Sequence, residues 1–273
     1  MYTLSNKLNN WQVKLNIICD VVIIEKFTIG INNNVKNSET TTGQTNIISI
    51  APTKFGFEIT TSVQSNYKDN AYKIALLVIG KMLDVLSLST NSFYLITTDN
   101  VTLNKNALSS HVKIILAKED FINAFENAEK YNSEEPQFLL ALNWFRKGKI
   151  SDDPYDKFLA FWNSISLVAG KYHKEDERTK KGIKNQIWNC FISVWGQSSD
   201  WEFINGDDKW IDDNNIIRDK IAHGLIPIEF EHIENVLSRL EILEKVSYKF
   251  LTDFWKKIVT EKQAKTRRRL LIS

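Results

Sequence analysis

Scarcity bounds this chain before any motif is sought. Cysteine occurs only as Cys19 and Cys190, in different halves and with no second thiol beside either. Such a pattern makes neither a disulfide framework nor a zinc site, and the apolar surroundings of both suit buried structural positions. Excess charge is also missing. The chain has 35 Lys and Arg against 33 Asp and Glu, a formal charge of +2, so contact with nucleic acid has to come from a local patch. Long apolar runs are lacking as well: the longest, Ile74 to Leu88, is interrupted by Gly80, Lys81 and Asp84 and is too short and too charged to span a bilayer. There is no phosphate-cradling glycine loop and no internal repeat. With no signal-peptide pattern at the N-terminus, a reducing cytoplasm is the expected compartment, without membrane attachment.

What is present suffices for two ordinary cores: 273 residues, 43% of them hydrophobic. The texture divides. Residues 1–120 read as an α+β domain with a sensing or regulatory role. Strand candidates are the Val- and Ile-rich runs within Trp11 to Ile31, then Ile47 to Ile50, Phe55 to Val63, Ser92 to Thr98 and His111 to Leu116. The polar stretch Asn32 to Thr45 reads as a loop or hairpin end. Asn70 to Ser89 places Ile74, Leu77, Val78, Met82, Val85 and Leu86 at helical spacing, as a helix packed on a sheet would.

Residues 121–273 read as an all-helical bundle, so the fold class is α+β overall. Expected helices are Asp120 to Tyr131, Glu134 to Lys147, one opened by Ser151-Asp-Asp-Pro154 and stopping near Gly170, one carrying Ile187, Trp188, Phe191 and Trp195, a short one capped by Asp212 and Asp213, and a long closing helix after Pro227. The inner side of the closing helix would carry Ile233, Val236, Leu237, Leu240, Leu243, Phe250, Leu251, Phe254 and Ile258. Trp162, Trp188 and Trp195 read as core. Trp201 and Trp210, flanking the loop before the short helix, are candidates for lining a substrate groove. Lys262 to Arg269 reads as a basic tail, either a solubilising disordered end or a grip for phosphates.

The short helix carries the chemistry. In Trp210-Ile-Asp-Asp-Asn-Asn-Ile-Ile-Arg-Asp-Lys-Ile-Ala-His-Gly224, Ile217 and Ile221 stand one turn apart as a buried stripe. Asp219 and His223 are one turn apart too, so the carboxylate can orient the imidazole. Gly224 suits a helix stop and leaves His223 accessible. Cutting RNA without a metal needs a base for the 2′-hydroxyl, an acid for the leaving 5′-oxygen and a cation for the phosphorane charge. An imidazole serves as base or acid near neutrality. A guanidinium fork such as that of Arg218 donates paired hydrogen bonds to phosphate. Arg218, His223 and Asp219 are therefore the candidate catalytic residues, and Lys220, Asn214 and Asn215 the candidate substrate contacts. One chain supplies one such histidine. A two-fold dimer facing the motif helices would bring two to a single phosphate.

Arg218-Asp-Lys-Ile-Ala-His223 is similar to the Arg-x4-His motif of HEPN domains, in which a polar residue often follows the Arg and Ala often precedes the His. Gln137-Phe-Leu-Leu-Ala-Leu-Asn-Trp-Phe and Asp153 to Ala169 resemble the first helices of the ApeA-like branch. The resemblance covers roughly residues 133 to 260. It implies a helical bundle dimerising through its motif helices and acting as an RNA endonuclease, without metal or cofactor, on RNA that includes transfer RNA. The implied settings are toxin–antitoxin systems and phage defence, with an antitoxin or trigger protein as partner. By the same resemblance, the residues matching Arg218 and His223 are catalytic and Asp219 supports them. ApeA-like members often carry an acid in the second bundle helix, where this chain has Ser164-Ile-Ser-Leu. That departure keeps a second class open, a catalytically silent HEPN-like module for dimerisation or partner binding. A small-molecule sensor in the first half is a third.

Overall fold

The computed structural model describes residues 9–36, 42–97, 114–225 and 230–270, with only the backbone described at 32–36, 42–46, 230 and 259–270. The chain forms two compact units, 1–134 and 135–273. The expected α+β architecture is observed, a sheet first and helices after it.

The first unit is built on five antiparallel strands in the order β3-β4-β5-β1-β6: β1 Asn9–Cys19, β3 Phe27–Lys36, β4 Thr42–Thr53, β5 Gly56–Ser65 and β6 Tyr94–Thr97. A minor parallel pair joins β2 (Val22–Ile23) to β7 (Ile115–Leu116). Alternation decides the inner face. Val13, Leu15 and Ile17 of β1 and Phe57, Ile59, Thr61 and Val63 of β5 are buried, while the residues alternating between them are partly or fully exposed. The register lines Leu15, Ile59 and Ile50 into one row across three strands. The expected loop over Asn32 to Thr45 is shorter than the sequence implied. Both strands continue into it, with Asn33 paired to Thr45 and Lys36 to Thr42 after a bulge. Polar residues hold the ladder there because backbone groups make it.

Helix α1 (Lys68–Thr90) lays Ile74, Val78, Met82 and Leu86 against the sheet, whereas Leu77, expected in that stripe, is 45% exposed. Helix α2 (Lys118–Glu134) packs on α1 and β3. Its Phe121 ring meets Phe27 at 5.4 Å and Phe57 at 5.3 Å. Thus α2 belongs to the first unit, and the boundary falls at 134/135, not at 120/121. His111 and the start of its expected strand lie outside the described residues, as does Pro227.

The second unit comprises α3 (Pro136–Ile150), α4 (Pro154–Tyr172), α5 (Ile183–Trp195), α6 (Trp210–Ala222) and α7 (Phe230–Leu270), with 3₁₀ turns at 179–181, 198–200 and 202–204. Asp153 caps α4 as the sequence implied, accepting from the backbone N–H of Tyr155 and Asp156 at 2.9 Å. Helices α3 and α4 approach closely at Gly148, where a Cβ would lie 2.7 Å from the Phe161 ring. Phe191 centres an aromatic cluster with Trp195, Trp201, Trp210 and Phe250 at ring separations of 4.7–6.3 Å. Each such side chain contributes about 1.5–3 kcal/mol by leaving water. Along α7, Val236, Leu243, Phe250, Leu251 and Phe254 are buried but Leu237 is 51% exposed. The α7 backbone stays helical through the basic residues 262–269, in place of the expected disordered end.

Candidate functional site

Helix α6 is clamped at its start and open at its end. Trp210, Ile211 and Asn214 are buried, and the helix packs on α4 and α5. Ile217 and Ile221, expected as the buried stripe, are only half-buried, and Ala222 to Leu225 are exposed. Its start is corrected too. The helix opens at Trp210 behind Lys209 without a side-chain cap, and Asp212 and Asp213 lie inside the first turn, where carboxylates favour the positive helix end.

The end is specified by glycine. Gly224 has φ +64°, its N–H bonds the Ile221 carbonyl at 3.0 Å, and the Leu225 N–H reaches back to the Lys220 carbonyl at 2.8 Å. This paired reversal closes a helix with its last carbonyls satisfied. His223 therefore sits at the cap, its backbone N–H on the Asp219 carbonyl at 3.1 Å and its ring exposed. No described residue hydrogen-bonds that ring.

Asp219 does not orient His223, contrary to the expectation from their spacing. Its Oδ1 accepts from Arg218 Nη1 at 2.8 Å and its Oδ2 from Asn215 Nδ2 at 3.1 Å. Both carboxylate oxygens are thus already engaged by donors on the N-terminal side of Asp219. The guanidinium uses one nitrogen on Asp219; its Nε and Nη2 have no partner among the described residues. The structure thus brings together Arg218, Asp219 and Asn215 and leaves His223 and Lys220 apart from them. Asn214 is fully buried, its amide donating to the Trp210 carbonyl at 2.7 Å, so it presents nothing to a substrate in this chain.

Lys220 lines a groove of about 420 Å3 between α6 and α7 with Asp213, Ile217, His232 and Arg239. Arg218 faces the other way, into a groove of about 560 Å3 walled by α3 and α4. Ser164, at the position where an acid was looked for, is buried and bonded at 2.6 Å to Ser247 of α7, while Ser166 lines the groove of Arg218. Trp201 and Trp210 are core residues, not groove linings. The sequence reading missed Trp144, Asn163 and Lys171, which share that groove with Arg218. For Asn163 and Lys171 the signal was the second face of α4: Asn163, Ser166, Leu167, Gly170 and Lys171 recur at helical spacing opposite the apolar stripe.

Cys19 and Cys190 are buried thiols whose Sγ–H groups point to the Val21 and Ala169 carbonyls, and burial pushes the Cys190 thiol up to about 12 despite the nearby Lys257. His173 is structural, its Nδ1 2.9 Å from the Ala169 carbonyl. Among the described residues no group of three or more His, Cys, Asp or Glu is placed to hold a metal ion, and no helix is long and apolar enough to cross a membrane. No family model, curated protein or solved structure matches this chain.

Proposed function

We propose that the chain is a metal-independent RNA endonuclease of HEPN type that works as a homodimer, in phage defence or beside an antitoxin. The observation that carries this reading is the end of α6. A glycine reversal presents the His223 ring to solvent, while five residues earlier Arg218, held by Asp219, keeps free guanidinium donors. An imidazole able to move a proton and a cation able to hold a phosphorane are the two parts that 2′-hydroxyl attack on the adjacent phosphate requires. The bond formed is 2′-oxygen to phosphorus, the bond broken is phosphorus to 5′-oxygen, and the product keeps a 2′,3′-cyclic phosphate.

Within one protomer Arg218 points to the α3/α4 groove, and His223 lines none of the grooves described above. A second α6 facing the first supplies the missing group, which is why the proposal is dimeric. The exposed Ile216 and Leu225 beside the motif are the apolar surface such a contact would cover. The same separation favours the alternative of a silent dimerisation or partner-binding module. Growth separates the two. Expression of the wild type in a bacterial host slows growth under the nuclease reading, and Arg218→Ala and His223→Ala restore it. Normal growth with the wild type supports the module.

A further inference from the structure

The groove that ends at Arg218 has the composition of a ligand site. Its walls carry Gln137 and Trp144 from α3, Asn163, Ser166 and Lys171 from α4, and Arg218 from α6, enclosing about 560 Å3. That volume lies in the range of pockets holding small ligands or single nucleotides. Among the described residues no carboxylate lines it, whereas the groove across α6 includes Asp213 and the one beside α5 includes Asp212 and Asp219. Lys147, which does not line the groove, stands 4.5 Å from the Trp144 ring centroid. Gln137, Asn163, Ser166 and Lys171 make no side-chain hydrogen bond or ion pair with any described residue. Two amides, a hydroxyl and the Lys171 ammonium therefore line one concavity unpartnered, beside Arg218, whose Nη1 is held by Asp219, and the Trp144 indole.

We propose that this groove receives one unstacked base of single-stranded RNA, together with its phosphate, next to the bond that is cut. The inference rests on the nuclease reading and names where its substrate lies. An indole offers a π face to any base, and alanine-type removal of such a stacking partner weakens single-strand binding severalfold or more. Asn163 and Gln137 carry the paired donor and acceptor that match a base edge. Lys171 and the free nitrogens of Arg218 meet the phosphate. A base still paired in a duplex cannot leave its stack to reach an indole on a groove wall, so the site selects single strands.

The test uses the full chain and a fluorescein-labelled single-stranded RNA with 2′-O-methyl ribose throughout, which lacks the attacking hydroxyl and reports binding alone. Fluorescence anisotropy compares the wild type with Trp144→Leu, Lys171→Glu and Asn163→Asp, each checked for native circular dichroism. Asn163→Asp only adds negative charge and serves should Trp144→Leu perturb packing. The expected result is about tenfold weaker binding for Trp144→Leu. Lys171→Glu is expected to weaken binding and to flatten its salt dependence by roughly 0.7 in log–log slope, one single-strand phosphate contact. Wild-type affinity in all three variants overturns the proposal, as does equal affinity for duplex RNA or no binding by the wild type. The two readings fail separately: binding without cleavage of natural RNA removes the nuclease and leaves the groove, while unaltered cleavage in the three variants removes the groove and leaves the nuclease.

Discussion

Asp253 of α7 shows how single residues here are set by competing neighbours. Burial pushes its carboxyl upward, but hydrogen bonds from Lys249 and Trp195, with the charges of Lys249 and Lys256, outweigh burial and hold it below the ordinary carboxylate value. A carboxyl lowered in the folded state adds stability above its unfolded value of about 3.9 and loses it as pH falls through the folded value. Urea unfolding between neutral pH and about pH 3 should therefore show a shallower acid decline for Asp253→Asn than for the wild type. Parallel declines would mean that the Lys249 and Trp195 bonds contribute nothing. The motif residues show the same competition. The spacing of Asp219 and His223 was legible in the sequence, but the carboxylate's choice among Asn215, Arg218 and His223 was not, because rotamers decide it after the helix forms. Burial of Trp201 and Trp210 was equally illegible, since the Phe191 cluster that covers them is assembled from two other helices, α5 and α7.

At the scale of elements, what a segment announces by itself was readable. Asp153 before Pro154, the α1 and α4 stripes and the Gly224 stop all follow from local chemistry. The extension of β3 and β4 through Asn and Thr was not, because a ladder made by backbone groups leaves little trace in polar side chains. Gly224 tests the most functional of these devices. At φ +64° a Cβ meets no neighbour within 4 Å, so the cost of Gly224→Ala is backbone strain alone, about 1 kcal/mol. Gly224→Asn should cost less, since Asn tolerates this region. Equal stability of wild type and the alanine variant by urea melt would show that the reversal does not need glycine.

At the scale of the molecule, amphipathic periodicity reveals that α2 has an apolar face but not which core receives it. Phe121, Ala124, Phe125 and Ala128 are buried in the first unit, so a fragment 1–134 should unfold cooperatively and a fragment 1–120 should not. Cooperative melting of the shorter fragment would restore the boundary the sequence implied. The second unit holds the motif, and the central claim is that Arg218 and His223 cut RNA there. The most direct measurement incubates the purified full chain with total and transfer RNA in EDTA, beside Arg218→Ala and His223→Ala, and identifies the new ends. The account expects wild-type cleavage that persists in the chelator, leaves 2′,3′-cyclic phosphates and falls at least about a hundredfold in both variants. A folded, dimeric wild type that leaves RNA intact, or cleavage abolished by EDTA, would contradict it.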